Sequence, residues 1–430
     1  MKNDRKIRAP IVTLVGHVDH GKSSILDYIK HTNIVSQEAG GITQKISSTS
    51  LAISEIRKIT GRLLHTLNID LTIPGILFID TPGHAAFNNL RKRGGNLADI
   101  AILVVDIKEG VMPQTIESIE ILKSYKTPFI IALNKIDTLP GWRPNTEIPL
   151  IKNIQLQSEI TIQEIEKRLY NLVAKLGELS FNAERFDRIE NYTKQISIIP
   201  CSAKTGEGIP ELLMVMTGLA QKYLEESLKI EVKGFAKGTI LEIREEKGLG
   251  KILDTIIYDG TVKKNDTLVI ATLSGPIVTK VKAIFQQKKG KRESVEEVSA
   301  SAGIIISAPE IEQATAGMPL QTAGSNLDEV KQTLQEEIQE VLIETEKDGV
   351  ILKADTLGSL EALTNLLKDK NIPIKKADIG EITKKDMTEA KSEKKTSNRV
   401  ILGFNVKNQH ADDIKIITNN VIYRIIEEYD

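Results

Sequence analysis

The segment Gly16–Ser23, GHVDHGKS, constrains the fold of this chain more than any other stretch of its sequence. It fits the pattern G-x-x-x-x-G-K-[ST], follows the apolar run Ile11–Val15 and opens the helical pattern Lys22–Ile29. In such a strand–loop–helix unit, glycines let backbone N–H groups converge on an anion at the helix N-terminus, where the helix dipole favours negative charge. The segment therefore predicts a phosphate-binding loop in an α/β sheet.

Within this loop we expect backbone amides to face the α and β phosphates of a nucleotide. The residues assigned to nucleotide contact are Gly16, Val18, Asp19, His20, Gly21 and Ser24. We expect the Lys22 ammonium to reach the β and γ oxygens and the Ser23 hydroxyl to ligate Mg²⁺. The predicted ligand is a nucleoside triphosphate with its magnesium ion.

Alternating apolar runs and helical patterns through the first half predict a doubly wound α/β sheet. The expected buried strands are Ile11–Val15, Ile76–Ile79, Ile100–Val105, Phe129–Leu133 and Ile196–Ile199. The expected helices are Lys22–Ile29, Gln114–Tyr125, Glu164–Leu176 and Pro210–Leu228.

From about residue 231 the pattern changes to short strands separated by tight-turn dipeptides, such as Asp259-Gly260, which predicts an all-β barrel. A helix with one apolar face follows, and then αβ alternation returns from Gly349. The expected division is an α/β P-loop domain at 1–229, a β-barrel at 230–325, a linking helix at 326–347, and a small α/β/α domain at 348–430 that includes the start of a C-terminal helix.

A second motif, DTPGH at Asp80–His84, follows the predicted strand Ile76–Ile79. Ligands of open α/β sheets bind at the carboxyl ends of the strands. Asp80 is therefore placed to hold Mg²⁺, through water, and the Gly83 N–H to sense a γ phosphate.

A third motif, NKID at Asn134–Asp137, indicates the base. The Asp137 carboxylate can accept from both N1–H and N2–H₂ of guanine, whereas adenine would leave a buried carboxylate unpaired. We expect Asn134 to brace the loop near N7 and the Lys135 stem to cover the ring. The motif favours GTP over ATP.

The later stretch CSAKTGEG completes this base site through Ser202, Ala203 and Lys204, with the Ala203 N–H expected to meet guanine O6. Trp142, the single tryptophan, lies in PGWRP between the two motifs. We interpret it as a packed loop anchor, with a ligand platform as the alternative.

Composition limits the partners. Lys plus Arg is 57 against 58 for Asp plus Glu, a net charge of −1, so bulk charge cannot hold this chain to nucleic acid. One cysteine excludes a disulfide framework within the chain and suits a reducing cytosol. The charged N-terminus and short apolar runs predict a cytoplasmic protein without a membrane span.

Two lysine-rich stretches stand out, Gln286–Ser294 and Thr383–Ser397. Each can be a solvated loop, and each can contact RNA phosphates, a contact that would weaken steeply with salt. The residues alone leave both interpretations open.

With these motifs placed, the chain resembles a translational GTPase. More closely, it is similar to the archaeal/eukaryotic form of the initiation factor that promotes ribosomal subunit joining, a relative of bacterial initiation factor two. The resemblance rests on shared stretches over essentially residues 8–430. They are EAGGITQ, FIDTPGHAAF, RKRGGNLADIAILVVDI, PQT, NKID with PGWRP, KGLGK, KADTLGSLEAL and IPIKKADIG.

The resemblance implies further roles. Thr43 would close on Mg²⁺ and the γ phosphate, and His84 would orient the attacking water. Val18 and Ile42 would form an apolar gate around His84. No arginine finger is apparent in the chain, so the resemblance implies slow hydrolysis until ribosomal RNA reorganises His84.

Two departures from the family pattern matter. KISS follows GGITQ where the family has a pattern close to HIGA, and the chain stops at NVIYRIIEEYD, where a connecting helix and a tRNA-binding barrel would follow. The expected partners are ribosomal subunits and ribosomal RNA, with initiator tRNA only through that C-terminal domain or a second chain. We expect no DNA or membrane partner, and a monomer.

Two rival functions remain at this stage. An elongation-type GTPase that delivers tRNA would share the nucleotide motifs but carry a second barrel where αβ alternation is predicted. A non-catalytic RNA-binding assembly factor would use GTP only as a structural ligand, and His84 argues against it.

Overall fold

A computed structural model describes residues 5–31, 47–67, 69–80, 91–92, 95–231, 234–272, 274–288, 291–339, 348–407, 409, 414–420 and 422–429. Four residues with predicted roles, Ile42, Thr43, Gly83 and His84, lie outside these ranges. The side chain of Asp80 is likewise outside what is described.

The first part of the fold is a sheet of seven strands among the described residues, in the order β3-β4-β2-β7-β8-β10-β9. The strands of this part, which also form two small two-stranded sheets, are β1 Arg5–Ile7, β2 Ile11–Val15, β3 Ser47–Ala52, β4 Gly75–Asp80, β5 Arg91–Lys92, β6 Gly95–Asn96, β7 Ile100–Asp106, β8 Phe129–Asn134, β9 Ala183–Arg185, β10 Ile196–Pro200 and β11 Lys229–Glu231. Strands β4, β2, β7, β8, β10 and β9 are parallel, so their carboxyl ends share one edge.

Helices cover this sheet and close its apolar core. They are α1 Lys22–His31, α2 Ile53–Thr60, α3 Pro113–Ser124, α4 Leu150–Gln155, α5 Glu159–Glu178 and α6 Ile209–Leu224, with single 3₁₀ turns at Leu63–Leu67 and Ile136–Thr138. The doubly wound α/β class predicted from the alternating pattern is confirmed.

Some elements of this part differ from the sequence prediction. Strand β3, which pairs antiparallel with β4, was not predicted because SSTSLA has little apolar character. Helix α5 begins five residues earlier than predicted, because the Ser158 hydroxyl accepts from the Thr161 amide and caps it. Helix α6 ends at Leu224 rather than Leu228.

The second part is all-β, as expected. Its larger sheet has the order β16-β15-β21-β12-β13-β20-β17-β18, and β14 pairs with β19. The strands are β12 Lys237–Glu246, β13 Gly250–Asp259, β14 Thr261–Lys263, β15 Thr267–Ile270, β16 Ile277–Lys280, β17 Ala283–Lys288, β18 Lys291–Val295, β19 Glu297–Ser299, β20 Ala302–Ser307 and β21 Pro319–Ala323. Helix α7, Leu327–Gln339, follows it.

The third part is a parallel four-stranded sheet in the order β23-β22-β24-β25. Its elements are β22 Val350–Ala354, α8 Leu357–Asp369, β23 Ile374–Ile379, α9 Lys384–Lys391, a 3₁₀ turn at Thr396–Asn398, β24 Val400–Phe404, β25 Lys415–Asn419 and α10 Ile422–Tyr429. The predicted αβ alternation is confirmed.

The lysine-rich stretch at Thr383–Ser397 is largely helical rather than a solvated loop. Thr383 and Asp386 form a reciprocal cap that starts α9, and the Asp386 carboxylate also accepts from the buried Lys353 ammonium at 3.1 Å and from Lys376 at 2.8 Å. Burial opposes ionisation of Asp386, but these cations and the Thr383 hydrogen bonds outweigh it and lower its pKa. The buried ion cluster thus anchors α9 to the sheet.

The first and second parts meet along a tightly packed contact. The Arg8 guanidinium binds the Asp99 carboxylate at 2.6 and 2.8 Å and donates to the Ser301 hydroxyl at 3.2 Å. A Cβ on Gly303 of β20 would lie 1.6 Å from Ser48 Oγ of β3, so only glycine allows this approach. The orientation of the barrel is therefore tied to strand β3.

Helix α3 joins the first part to the third. The Tyr125 hydroxyl donates to the Glu361 carboxylate of α8 at 3.1 Å. The Glu117 side chain is buried, and the Ile422 amide at the start of α10 interacts with its carboxylate. Burial raises the pKa of Glu117 to about 7 despite that amide.

Among the described helices, none is both long enough and apolar enough to cross a membrane. No three His, Cys, Asp or Glu side chains come together as a metal site in the described part of the chain.

The Glu117 contact predicts a pH dependence. Because burial raises the pKa of Glu117 from 4.5 to about 7, protonation of its carboxyl favours the folded state. This contribution to the free energy of unfolding is complete below pH 4.5 and is lost as the pH rises through about 7. Glu117→Gln should abolish this dependence and raise the free energy of unfolding at pH 8 by on the order of 3 kcal/mol. Urea unfolding at pH values between about 5 and 8, the range in which proteins are usually most stable, measures this pH dependence. Glu120→Gln on the same helix is the control. An unchanged pH profile in the Glu117 variant would contradict the assignment.

Candidate functional site

The predicted site residues lie in loops that leave one edge of the first sheet. Strands β2, β7, β8 and β10 are adjacent and parallel, and they end at Val15, Asp106, Asn134 and Pro200. The phosphate loop follows β2, NKID begins at the end of β8, and the CSAK loop follows β10. The topology therefore brings all three loops to one crevice, as open α/β sheets do.

Two glycines allow the backbone of the phosphate loop to pass close to neighbouring residues. Gly16 has φ 134°, and a Cβ there would lie 2.3 Å from the Val104 carbonyl oxygen. Gly21 has φ 92°, and a Cβ there would lie 2.3 Å from Asn134 Nδ2. A side chain at either position would collide with these atoms, so the loop requires glycine at both positions.

The side chains of this loop take different directions. Val18 is 49% exposed, and its amide donates to Gln114 Oε1 of α3 at 3.1 Å. Asp19 has φ 64° and is exposed. The Lys22 ammonium donates to the carbonyls of Gly16 and His17 at 2.8 and 2.6 Å, so it already lies over the loop.

The His20 side chain points into the protein. Its ring nitrogens lie 3.3 Å from the Val104 carbonyl and 3.1 Å from Glu109 Oε2. Burial lowers the pKa of His20, although Glu109 opposes the shift. Only the backbone of His20 is left to face a phosphate.

Asn134 connects the phosphate loop to the base loop. Its buried amide donates from Nδ2 to the His20 carbonyl at 2.9 Å, and its Oδ1 accepts from the Ala203 amide at 3.0 Å. The sequence predicted that Asn134 braces a loop, and the structure shows that it braces two. The Ala203 amide, expected at guanine O6, donates to Asn134.

Asp137 and the CSAK loop are joined directly. Ser202 Oγ donates to Asp137 Oδ1 at 2.6 Å and accepts from the Thr205 amide at 3.1 Å. Among the described residues, the second carboxylate oxygen of Asp137 accepts no hydrogen bond, and the side chain is half-buried. Lys204 is exposed.

Lys135 has a partner that its motif did not indicate. Its ammonium lies 2.8 Å from Asp106 Oδ2, at the end of β7. Burial favours the neutral form of Asp106, but Lys135 and the Lys108 amide outweigh it and lower the pKa. This ion pair holds the Lys135 side chain against the end of β7, and no pattern around Asp106 predicted it.

Of the residues assigned to Mg²⁺, the structure describes Ser23 and the backbone of Asp80, whereas Thr43 lies outside the described residues. Ser23 lies in the first turn of α1, and Asp80 ends β4, which pairs with β2 beside the loop. A hydroxyl and a carboxylate are hard oxygen donors of the kind that Mg²⁺ prefers. The donor set and its placement at one sheet edge fit the ion.

Comparisons with known families agree with this geometry. The model of the elongation factor Tu GTP-binding domain matches residues 7–222, that of elongation factor Tu domain 2 matches 250–321, and that of translation-initiation factor 2 matches 323–430. Together with the site, these matches define a P-loop GTPase of the translational class.

The relatives are more specific. Probable translation initiation factor IF-2 of Thermococcus onnurineus is 50% identical over 99% of this chain and 74% of its own length. The protein of the same name from Methanopyrus kandleri is 51% identical over 94% and 70%. The crystal structure of GDP-bound aIF5B from Aeropyrum pernix matches with TM-score 0.91 and 43% identity over 99% of this chain and 74% of that one. The chain belongs to the family of translation initiation factor IF-2.

The contact between Gly21 and Asn134 gives a direct test. Gly21→Ala should displace the Asn134 amide from the His20 carbonyl and weaken guanine nucleotide binding at least tenfold, the scale of one lost buried hydrogen bond. Gly110→Ala is the matched control, because Gly110 also has positive φ but a Cβ there would meet nothing within 4 Å. Isothermal titration with GDP measures both, and equal losses would show that backbone strain alone is responsible.

Proposed function

We propose that this GTPase promotes the joining of ribosomal subunits and the positioning of initiator tRNA. The observation that carries the proposal is the third part of the fold, a parallel α/β sheet matched by the translation-initiation factor 2 model. An elongation-type factor would carry a second barrel there, so that rival is disfavoured.

The proposed nucleotide contacts follow the geometry of the crevice. Amides of the loop from Gly16 to Ser24 bind the phosphates, and the Lys22 ammonium exchanges the loop carbonyls for the β and γ oxygens. Asp137 accepts from the guanine edge while Asn134, Lys135 and Ser202–Lys204 hold the loop around the base. The Asp137–Ser202 bond supports this role, because it orients the carboxylate and leaves its other oxygen to the base.

The proposed chemistry is attack of water on the γ phosphorus of GTP, which breaks its bond to the β–γ bridging oxygen and releases GDP and inorganic phosphate. Ser23, Asp80 and Thr43 would hold Mg²⁺, which would neutralise charge on the phosphates. His84 would orient the water, with Val18 and Ile42 around it, and exposure of the Val18 side chain at the crevice supports that placement. The assembly-factor rival predicts no turnover at all.

We further propose the division into units at 1–229, 230–325, 326–347 and 348–430, a monomeric state and a cytoplasmic location. Separate apolar clusters in the first, second and third parts support the division. Leu241 and Ile256 of the barrel pack into the first cluster, so the first two units share a continuous contact.

The proposed anionic partner is ribosomal RNA, and the charge distribution around α9 supports it. The acids Asp386 and Glu393 of this stretch are buried against Lys353, Lys375 and Lys376. The exposed cations of the same stretch are Lys384, Lys385, Lys391, Lys394 and Lys395, and Arg399 is exposed just beyond it. With two of its three acids buried against other cations, this lysine-rich stretch presents a basic surface, which suits phosphates.

The base assignment is tested by Asp137→Asn. The variant should bind GTP more weakly by about 2–5 kcal/mol, because the charged partner of the guanine N1–H and N2–H₂ is removed. It should bind xanthosine triphosphate better than the parent does, since the C2 oxygen can accept from the new amide. Competition titrations measure both affinities. Unchanged GTP affinity would refute the guanine site.

The division between binding and chemistry is tested by two further variants. His84→Ala should retain GTP affinity but lose about 10²–10⁴-fold of the turnover stimulated by ribosomes, the scale for a positioned catalytic group. Lys22→Ala should lose nucleotide binding itself. GTP turnover with and without ribosomal subunits measures the first, and filter binding the second. Stimulation that is absent in the parent protein would favour the assembly-factor alternative.

The basic surface around α9 predicts a change in salt dependence. Replacing Lys384, Lys385, Lys394 and Lys395 by Gln should weaken binding to ribosomal subunits. It should also reduce the slope of log K against log salt by about 0.7–0.9 for each phosphate that the surface no longer neutralises. Lys167→Gln with Lys175→Gln, on exposed positions of α5, is the control. An identical slope in both variants would exclude this surface.

A further inference from the structure

The Glu207 carboxylate, in the base loop CSAKTGEG, is only 4% exposed yet has no cation partner among the described residues. Instead it accepts four hydrogen bonds from neutral donors. Oε1 accepts from the Asn145 amide at 2.9 Å and Asn153 Nδ2 at 2.5 Å. Oε2 accepts from Trp142 Nε1 at 3.0 Å and the Thr205 hydroxyl at 2.8 Å. A carboxylate has about four acceptor positions, so this one is saturated.

Three of these donors come from a segment far from the base loop. Trp142, Asn145 and Asn153 belong to the stretch that follows NKID and leads into α4. The fourth donor, Thr205, belongs to the base loop itself. Glu207 is therefore the point at which the segment 142–153 is joined to the loop that surrounds the base.

From Thr205 the connection continues to the proposed base contact. The Thr205 amide donates to Ser202 Oγ at 3.1 Å, and Ser202 Oγ donates to Asp137 Oδ1 at 2.6 Å. The Ser202 amide also donates to the Glu207 carbonyl at 2.9 Å. A displacement of Glu207 would therefore also displace Thr205 and Ser202, which together orient Asp137.

We propose that Glu207 is a positioning residue for guanine selectivity, acting through Thr205 and Ser202 on Asp137. Through Glu207, the segment 142–153 sets the shape of the base loop and the retention of guanine nucleotides. Trp142 is the single tryptophan of the chain, and its indole N–H is bound to Glu207, so its fluorescence reports the state of the base loop. This inference rests on the guanine site proposed above.

The chain provides a matched control in Glu211. This carboxylate lies one turn further along on α6, is 3% exposed, and accepts from the Leu150 amide at 2.7 Å. It anchors the same part of the chain, but among the described residues its carboxylate makes no hydrogen bond to the base loop. Glu211→Gln therefore tests what the loss of a buried anchor does without the connection to Thr205.

The experiment compares Glu207→Gln, Thr205→Val, Glu211→Gln and Asp137→Asn in the full chain. Affinities for GDP and for inosine diphosphate, which lacks the 2-amino group that Asp137 reads, are measured by equilibrium dialysis, and tryptophan emission is followed in parallel. Glu207→Gln should lower GDP affinity about tenfold, as expected when buried donors lose an acceptor, and should reduce the preference for GDP over inosine diphosphate.

Thr205→Val guards against a folding defect in the Glu207 variant, because it removes only the bond on the loop side. It should reduce the same preference and diminish the change in Trp142 emission on adding GDP. Glu211→Gln should keep the parent preference and emission change. Equal loss of preference in Glu211→Gln would show a general structural effect and overturn the inference.

Two failures are distinguishable. If Asp137→Asn loses the preference but Glu207→Gln and Thr205→Val keep it, the positioning role of Glu207 is wrong and the guanine site stands. If Asp137→Asn also keeps the preference, the guanine site itself is wrong.

Discussion

The pair of hydrogen bonds made by the Asn134 side chain holds the functional edge of this structure together. One bond fixes the phosphate loop through the His20 carbonyl, and the other fixes the base loop through the Ala203 amide. Both loops are irregular backbone with polar groups to satisfy, and a buried amide supplies a donor and an acceptor at once. Gly21 is needed because the same amide lies where its Cβ would be.

The parallel sheet makes this arrangement possible. Apolar β2 and β7 are buried along their lengths and β8 is buried from Ile130 onward, so their carboxyl ends are fixed by a packed core. The sheet therefore brings together the polar residues that follow these strands, and no long-range charge attraction is needed. Lys135 and Asp106 can form their ion pair because β7 and β8 end side by side.

Sequence patterns predicted the elements whose apolar residues are the ones buried in the core. The run Ile11–Val15 and the αβ alternation from Gly349 were recovered because apolar periodicity directly reflects packing. Strand β3 was missed, since its serines are paired by backbone rather than by apolar burial. The four donors around Glu207 were not predictable either, because they converge only in three dimensions. Sequence likewise could not separate the buried Asp386 from the exposed Lys384 of α9.

Helix α3 shows how the crevice is physically connected to the rest of the chain. Gln114 in its first turn accepts from the Val18 amide of the phosphate loop, while Glu117, one turn later, contacts the start of α10 in the third part. Tyr125 beyond its end binds Glu361 of α8. Helix α3 thus provides a continuous line of contacts from the phosphate loop to the third part. Burial raises the pKa of Glu117, so ionisation of this carboxyl would weaken the contact between α3 and α10.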